Sequence, residues 1–250
     1  MRPLFPALLS VALLASPALA FDINNMTDAE RAAFNQAVRD YLVANPDVLV
    51  ESYATLQRQE EAAQADREAQ ILADNHDTIF NDPNSWVGGN PQGDITVVEF
   101  IDYRCGYCRK AWQEVDQLIN TDGNIRFVLK EFPILGDQSV LASRFAIAVR
   151  MLHGDEAYRK THDALLSMRA DATPETLTRL AGDLGLDPAP LAEKMNSDEV
   201  TAVIAANHEL GNLLEVNGTP TFVVGGTMVR GYLPLDGMQQ IVAEARDKAG

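Results

Sequence analysis

Ile95-Thr96-Val97-Val98-Glu99-Phe100, followed shortly by Cys105-Gly106-Tyr107-Cys108, is the stretch that decides the fold. The first six residues are β-branched, apolar or aromatic except for Glu99, which reads as a buried strand. From about Arg109 to Ile119, the apolar residues Trp112, Val115 and Leu118 fall on one helical face. Ile125-Arg126-Phe127-Val128-Leu129 reads as a second strand. Strand, turn, helix and strand in that order make a βαβ unit, which implies a parallel pair. The two cysteines sit at the strand-to-helix junction, and the chain has no others.

That placement gives the pair a chemical meaning. A disulfide closing so small a loop stabilises little, because the entropic benefit grows with loop length, so a structural staple explains it poorly. Reactivity explains it better. The attacking species is the thiolate, and a helix N-terminus offers free N–H groups and partial positive charge to stabilise one. Cys105, exposed at that terminus with Arg104 before it, is the expected nucleophile. Cys108, one turn further in and more buried, is the expected resolving thiol. A zinc site would need two more ligands, and His76, His153, His162 and His208 are scattered without ligand spacing. Covalent haem attachment would need His after the second Cys, where Arg109 stands. Neither a metal nor a cofactor is expected.

Working outward, Asp82-Pro83-Asn84 and Gly88-Gly89-Asn90-Pro91 read as turns ahead of the first strand. After the second strand come candidate helices near 138–153, 155–168, 174–184, 188–196 and 198–215, several opened by Ser, Thr or Asp caps. Thr221-Phe222-Val223-Val224 returns to strand, Gly225-Gly226 turns, and Met228-Val229-Arg230 pairs back. A helix over about 234–248 closes the chain. Upstream, Thr27 and Glu30 have capping-box spacing, and Phe34, Val38, Tyr41 and Leu42 recur at helical intervals. Asn45-Pro46 restarts a second helix with Val48, Leu49, Tyr53 and Leu56 on its apolar stripe. Residues 57–70 carry no large apolar side chain, so they read as a solvated helix or helical linker.

The first 20 residues have the form of a signal peptide: Arg2, an uncharged apolar run, and Ala18-Leu19-Ala20 before Phe21. Cleavage there predicts a protein exported to the periplasm. The formal net charge of −16 disfavours nucleic acid and anionic membrane surfaces as partners.

Together these features resemble the DsbA-like branch of the thioredoxin superfamily over residues 76–250. The resemblance rests on the strand ending in Glu99-Phe100, the Cys-Gly-Tyr-Cys turn, the long helical insertion, and Thr219-Pro220 before the next strand. It implies an α/β thioredoxin-like fold with a helical insertion at about 136–215, here preceded by an N-terminal helical extension over 21–75. It also implies a cis-proline loop at Thr219 and Pro220 that lies against the sulfurs and pairs with extended substrate backbone. Tyr107 joins that substrate-binding surface, and Glu99 becomes a buried acid that relays protons to Cys108. The central dipeptide is Gly-Tyr where the strongly oxidising member has Pro-His, which weakens the expectation of a very low Cys105 pKa. The extension resembles that of the suppressor-of-copper-sensitivity C proteins, some of which associate through it.

Three functions compete. One is a dithiol oxidase for exported proteins, and the second an isomerase or reductase that forms a homo-oligomer through residues 21–75. Both need a membrane thiol-redox partner. The third is a periplasmic copper-binding or copper-tolerance protein, since thiolates suit Cu(I).

Overall fold

In this computed structural model, residues 23–249 are described. The signal peptide expected over residues 1–20 and the expected cleavage before Phe21 lie outside them. The chain divides into two units, one up to Glu61 and one from Ala62. The division falls inside a helix, ahead of the 75/76 boundary expected above.

In the N-terminal unit, α1 (Asp28–Ala44) starts at the capping box: the Glu30 N–H donates to Thr27 Oγ1, and the Thr27 N–H to Glu30 Oε2. No residue of α1 is buried, and Phe34, Val38 and Tyr41 stand exposed. α2 (Asp47–Asp74) follows Pro46, and its Leu49, Val50, Tyr53 and Leu56 are likewise exposed.

The second unit begins with the last turns of α2, where Leu72 is buried. A short α3 (His76–Phe80) is fastened to the sheet by two cations. Lys130, only 1% exposed, donates to the Thr78 carbonyl and to the Asp82 carboxylate at 2.8 and 2.7 Å, and Arg126 donates to the Phe80 carbonyl. Burial pulls the Lys130 pKa down, while Asp82 is held below the usual carboxylate range despite its own burial, by Lys130 and neighbouring donors.

The sheet has five strands: β1 (Trp86–Gly89), β2 (Ile95–Ile101), β3 (Ile125–Glu131), β4 (Thr221–Val224) and β5 (Thr227–Arg230), in the order β1-β3-β2-β4-β5. β2 and β3 pair in parallel with Val97 opposite Phe127, as the βαβ reading requires, and the other pairings are antiparallel. β1 corrects an expectation: Gly88 and Gly89 are strand, not turn. Gly88 belongs there because the Trp86 ring folds over it, leaving no room for a Cβ.

α4 (Gly106–Asp122) crosses from β2 to β3 and buries Cys108, Ala111, Trp112, Val115, Leu118 and Ile119. The insertion comprises α5 (Asp137–Ser167), α6 (Pro174–Asp183), α7 (Pro188–Met195) and α8 (Asp198–Leu213), with α5 broken at Gly154 (φ 81°) where two helices were expected. α9 (Leu235–Ala249) closes the chain. Strand alternation splits the core. Val97, Ile101, Phe127 and Leu129 pack with α4 and α5 residues, while Val98, Phe100, Val128 and Val223 pack with Ile79, Phe80 and Leu210. Glu99 and Glu131 share the alternation of the first set, so both carboxylates lie on the side of α4 and α5.

Candidate active site

β2 ends at Ile101, and Asp102-Tyr103-Arg104 carries the chain to the N-terminus of α4. Asp102 is fully buried and organises this turn. Its carboxylate accepts from the Arg104 N–H at 2.7 Å and from the Ile134 and Leu135 N–H groups at 2.8 and 3.0 Å. One side chain thereby ties the cysteine loop to the loop after β3. Sequence reasoning passed it over, although an Asp three residues before an N-cap is a recognisable turn former.

Cys105 is the N-cap of α4, and the Cys108 N–H donates to its sulfur at 3.4 Å. From the other side, the Cys105 thiol donates to the Thr219 carbonyl at 3.0 Å. The Thr219–Pro220 peptide is cis. Cys105 was expected exposed and is 7% exposed, because the Thr219 loop lies against it. Its pKa is lowered to about 5, chiefly by the Cys108 thiol and also by the Thr219 side chain and the Cys108 and Tyr107 N–H groups, against the opposing effect of burial. Hydrogen bonds lower the thiol here without a positive charge from the Gly-Tyr dipeptide. Arg104 contributes no contact to the sulfur and pairs with Asp171 at 3.1 Å.

Cys108 has no exposed surface. Burial, the bond with Cys105 and the nearby Glu99 carboxylate all raise its pKa. The two thiols, three residues apart, are thus driven in opposite directions. Glu99 is also fully buried, and neither carboxylate oxygen has a hydrogen-bond partner among the described residues. Burial, then the charge of Cys105, pushes its pKa well above the usual range, which favours the protonated carboxyl.

Tyr107 is 64% exposed and stacks on Tyr232, ring centroids 6.2 Å apart. Tyr232 also lies under the Lys110 ammonium and donates to Glu114, whose other oxygen accepts the Leu235 N–H at the start of α9. No sequence pattern marked Tyr232 or Glu114, which meet only because α9 packs on α4. The structure thus gathers Cys105, Cys108, Thr219 and Pro220 at one point, couples Glu99 to both sulfurs, and leaves Tyr107 on the surface beside them. Among the described residues no group of three or more His, Cys, Asp or Glu side chains is placed to hold a metal ion.

Residues 96–243 match the model of the DSBA-like thioredoxin domain, and residues 30–63 that of the copper resistance protein ScsC N-terminal domain. A thioredoxin-like oxidoreductase from Silicibacter pomeroyi is 44% identical with a TM-score of 0.65, covering 68% of this chain and 97% of its own. The thiol-disulfide exchange protein alpha-DsbA2 from Wolbachia pipientis is 29% identical with a TM-score of 0.67, covering 73% and 97%. Proteus mirabilis ScsC in a transitional conformation is 25% identical with a TM-score of 0.66, covering 89% and 100%. Among curated relatives, the Na(+)/H(+) antiporter NhaA 3 of Salinispora tropica is 30% identical over 159 residues, which are 64% of this chain and 24% of that protein. The chain therefore spans about a quarter of the length of the first curated relatives it matches. With its fold, its cysteine turn and its family-model match over residues 96–243, the chain belongs to the family of DSBA-like thioredoxin domains.

Proposed function

We propose that this protein is a periplasmic thiol–disulfide oxidoreductase that forms or rearranges disulfide bonds in exported proteins through Cys105 and Cys108. The observation that carries the reading is the opposed environment of the two thiols: Cys105 lowered to about 5 at a helix N-terminus, Cys108 raised in the core behind it. In the oxidising direction, a substrate thiolate attacks Cys105 of the Cys105–Cys108 disulfide. The new bond joins substrate to Cys105, and Cys108 leaves as a thiolate. Glu99, protonated and buried, gives Cys108 its proton. A second substrate thiolate then attacks the substrate sulfur of the mixed disulfide and expels Cys105, which leaves readily as a stabilised thiolate. Substrate gains a disulfide, and the protein ends as a dithiol. In the reducing direction the Cys105 thiolate attacks a substrate disulfide and the same steps run in reverse. Rearrangement follows when a different substrate thiolate attacks the substrate sulfur of the mixed disulfide, closing a new substrate disulfide and expelling Cys105 as it began.

Thr219 and Pro220 present backbone to an extended substrate segment, and the exposed Tyr107 ring meets its side chains. A membrane thiol-redox partner restores the starting state after each cycle. The exposed stripes of α1 and α2 assemble a homo-oligomer, supported by the match of residues 30–63 to the ScsC N-terminal domain. That match also favours a second reading, in which the same thiolates hold Cu(I) as cargo in copper tolerance.

Trapping free thiols in cells at steady state tests the direction. A mostly oxidised pair means an oxidase, and a mostly reduced pair an isomerase or reductase. Thiol–disulfide exchange that survives Cys105→Ser sinks the whole reading. Loss of copper tolerance in Cys105→Ser, with parent protein inert toward disulfides, favours the Cu(I) reading instead.

A further inference from the structure

Beside the catalytic turn lies a buried polar cluster that the thiol chemistry does not use. Glu131, at the C-terminal end of β3, stands opposite Ile101 and is 3% exposed. Its Oε1 accepts the Tyr103 hydroxyl at 2.8 Å and the Tyr158 hydroxyl at 2.6 Å. The Tyr103 oxygen also lies 3.1 Å from His162 Nδ1. Tyr158 and His162 belong to α5 of the insertion, and Tyr103 belongs to the cysteine loop. Since the Tyr103 proton goes to Glu131, its oxygen accepts at the other contact, and His162 carries its hydrogen on Nδ1. Burial lowers the His162 pKa to about 3, so the ring is neutral, and Nε2 is left a bare lone pair without a partner among the described residues. Trp112 of α4 packs against this ring, centroids 4.5 Å apart.

Tyr103 is gripped at its other end too. Its backbone carbonyl accepts from Arg109 Nε and from a terminal guanidinium nitrogen, at 3.1 and 3.0 Å, in the first turn of α4. The residue two positions before Cys105 is thus tied by its hydroxyl to the insertion and by its carbonyl to the helix that Cys105 caps. We propose that Tyr103 is a positioning residue for Cys105, holding the sulfur at the N-cap of α4 through the hydrogen-bonded chain from His162 through Tyr103 to Glu131 and Tyr158. Directional hydrogen bonds in a core favour one arrangement of the groups they join, where apolar packing tolerates several. The sulfur needs one arrangement, because the Cys108 N–H reaches it only at 3.4 Å. Without the tether the sulfur moves off its donors and holds its proton more tightly. The proposal rests on Cys105 being the low-pKa nucleophile.

Alkylation of Cys105 in the reduced, full-length protein, followed against pH, tests it. Tyr103→Phe removes the hydroxyl and leaves Arg109 its carbonyl. Arg109→Lys keeps the charge and loses the two-pronged grip. Thr161→Val removes a buried hydroxyl of α5 that donates within its own helix, to the Ala157 carbonyl. Near pH 5 the rate is expected to fall about threefold or more in Tyr103→Phe and less in Arg109→Lys, with the alkaline plateau unchanged, because the thiolate fraction sets the rate. Thr161→Val should follow the parent curve. Parent-like curves for both loop variants, or an equal fall in Thr161→Val, overturn the proposal. Should Tyr103→Phe not fold, Arg109→Lys against Thr161→Val decides by the same criterion. A parent with no thiol reacting in its thiolate form below neutral pH overturns the reading of Cys105 and the proposal with it.

Discussion

α1 and α4 are each 17 residues long and each carries apolar side chains at helical spacing, yet they end in opposite environments. On α4, Trp112, Val115 and Leu118 are covered by the sheet and the insertion, and on α1, Phe34, Val38 and Tyr41 stay exposed. Periodicity says that a helix has an apolar face; it does not say what covers it. In the catalytic unit the cover comes from the same chain. In the N-terminal unit the face is exposed, and the proposed assembly of copies through it gives those residues a purpose.

Several measurements break or sharpen this contrast. The largest effect is expected at the site itself: Cys105→Ser should reduce disulfide exchange to the rate without protein, while Tyr53→Ala on α2 leaves exchange with a small dithiol unchanged. Parity between the two variants in a turnover assay would erase the distinction between units.

Next come substitutions in the catalytic core. Phe127→Ala should cost about 3–5 kcal/mol. Lys130→Met, which strands the Asp82 carboxylate, should cost about 3–5 kcal/mol as well. Chemical denaturation checks both.

The pH dependence of stability is a third, somewhat smaller effect confined to the catalytic unit. Burial raises the Glu131 pKa from an ordinary 4.5 to about 7. The folded state then keeps a proton that the unfolded chain releases, so stability falls as pH rises through that window and levels off above it, by about 3 kcal/mol in all. Glu131→Gln should remove this slope, seen as a smaller difference between unfolding curves at about pH 5 and about pH 8. His162 acts on the acid side. With its pKa lowered to about 3 from 6.5, its contribution is lost as pH falls through that interval.

The smallest energetic effect belongs to the N-terminal face. Val38→Asp with Tyr41→Ser should change the stability of the catalytic unit by no more than about 0.5 kcal/mol, yet lower the mass seen by sedimentation to that of one chain. A parent already sedimenting as one chain removes the reason for the exposed stripes.

Much of this was legible beforehand because it is local. The βαβ unit, the hairpin at Gly225-Gly226, the helix starts at Thr27, Thr173, Asp187 and Ser197, and the break near Gly154 all depend on neighbours a few residues apart. β1 was misread because Gly88 and Gly89 look like a turn until the Trp86 ring is in place. Asp102 and Tyr103 look like ordinary loop residues, since their partners at 134, 135, 131 and 162 come from β3, the loop after it and α5.

By itself, then, the sequence determined most of the helices and strands, β1 excepted, that the two cysteines occupy a strand-to-helix junction, and that Cys105 is the outer and Cys108 the inner thiol. Those follow from spacing and propensity, which act along the chain. Tertiary structure decided the part of each thiol's shift that comes from burial, from the Thr219 side chain and from Glu99, which reach the sulfurs only when β2 and the loop before β4 are brought together. It also decided that Glu131 lies buried among two tyrosines and a histidine, and that one apolar helix face is covered while another is not. Desolvation and long-range hydrogen bonding are properties of packing, and no window of sequence contains them.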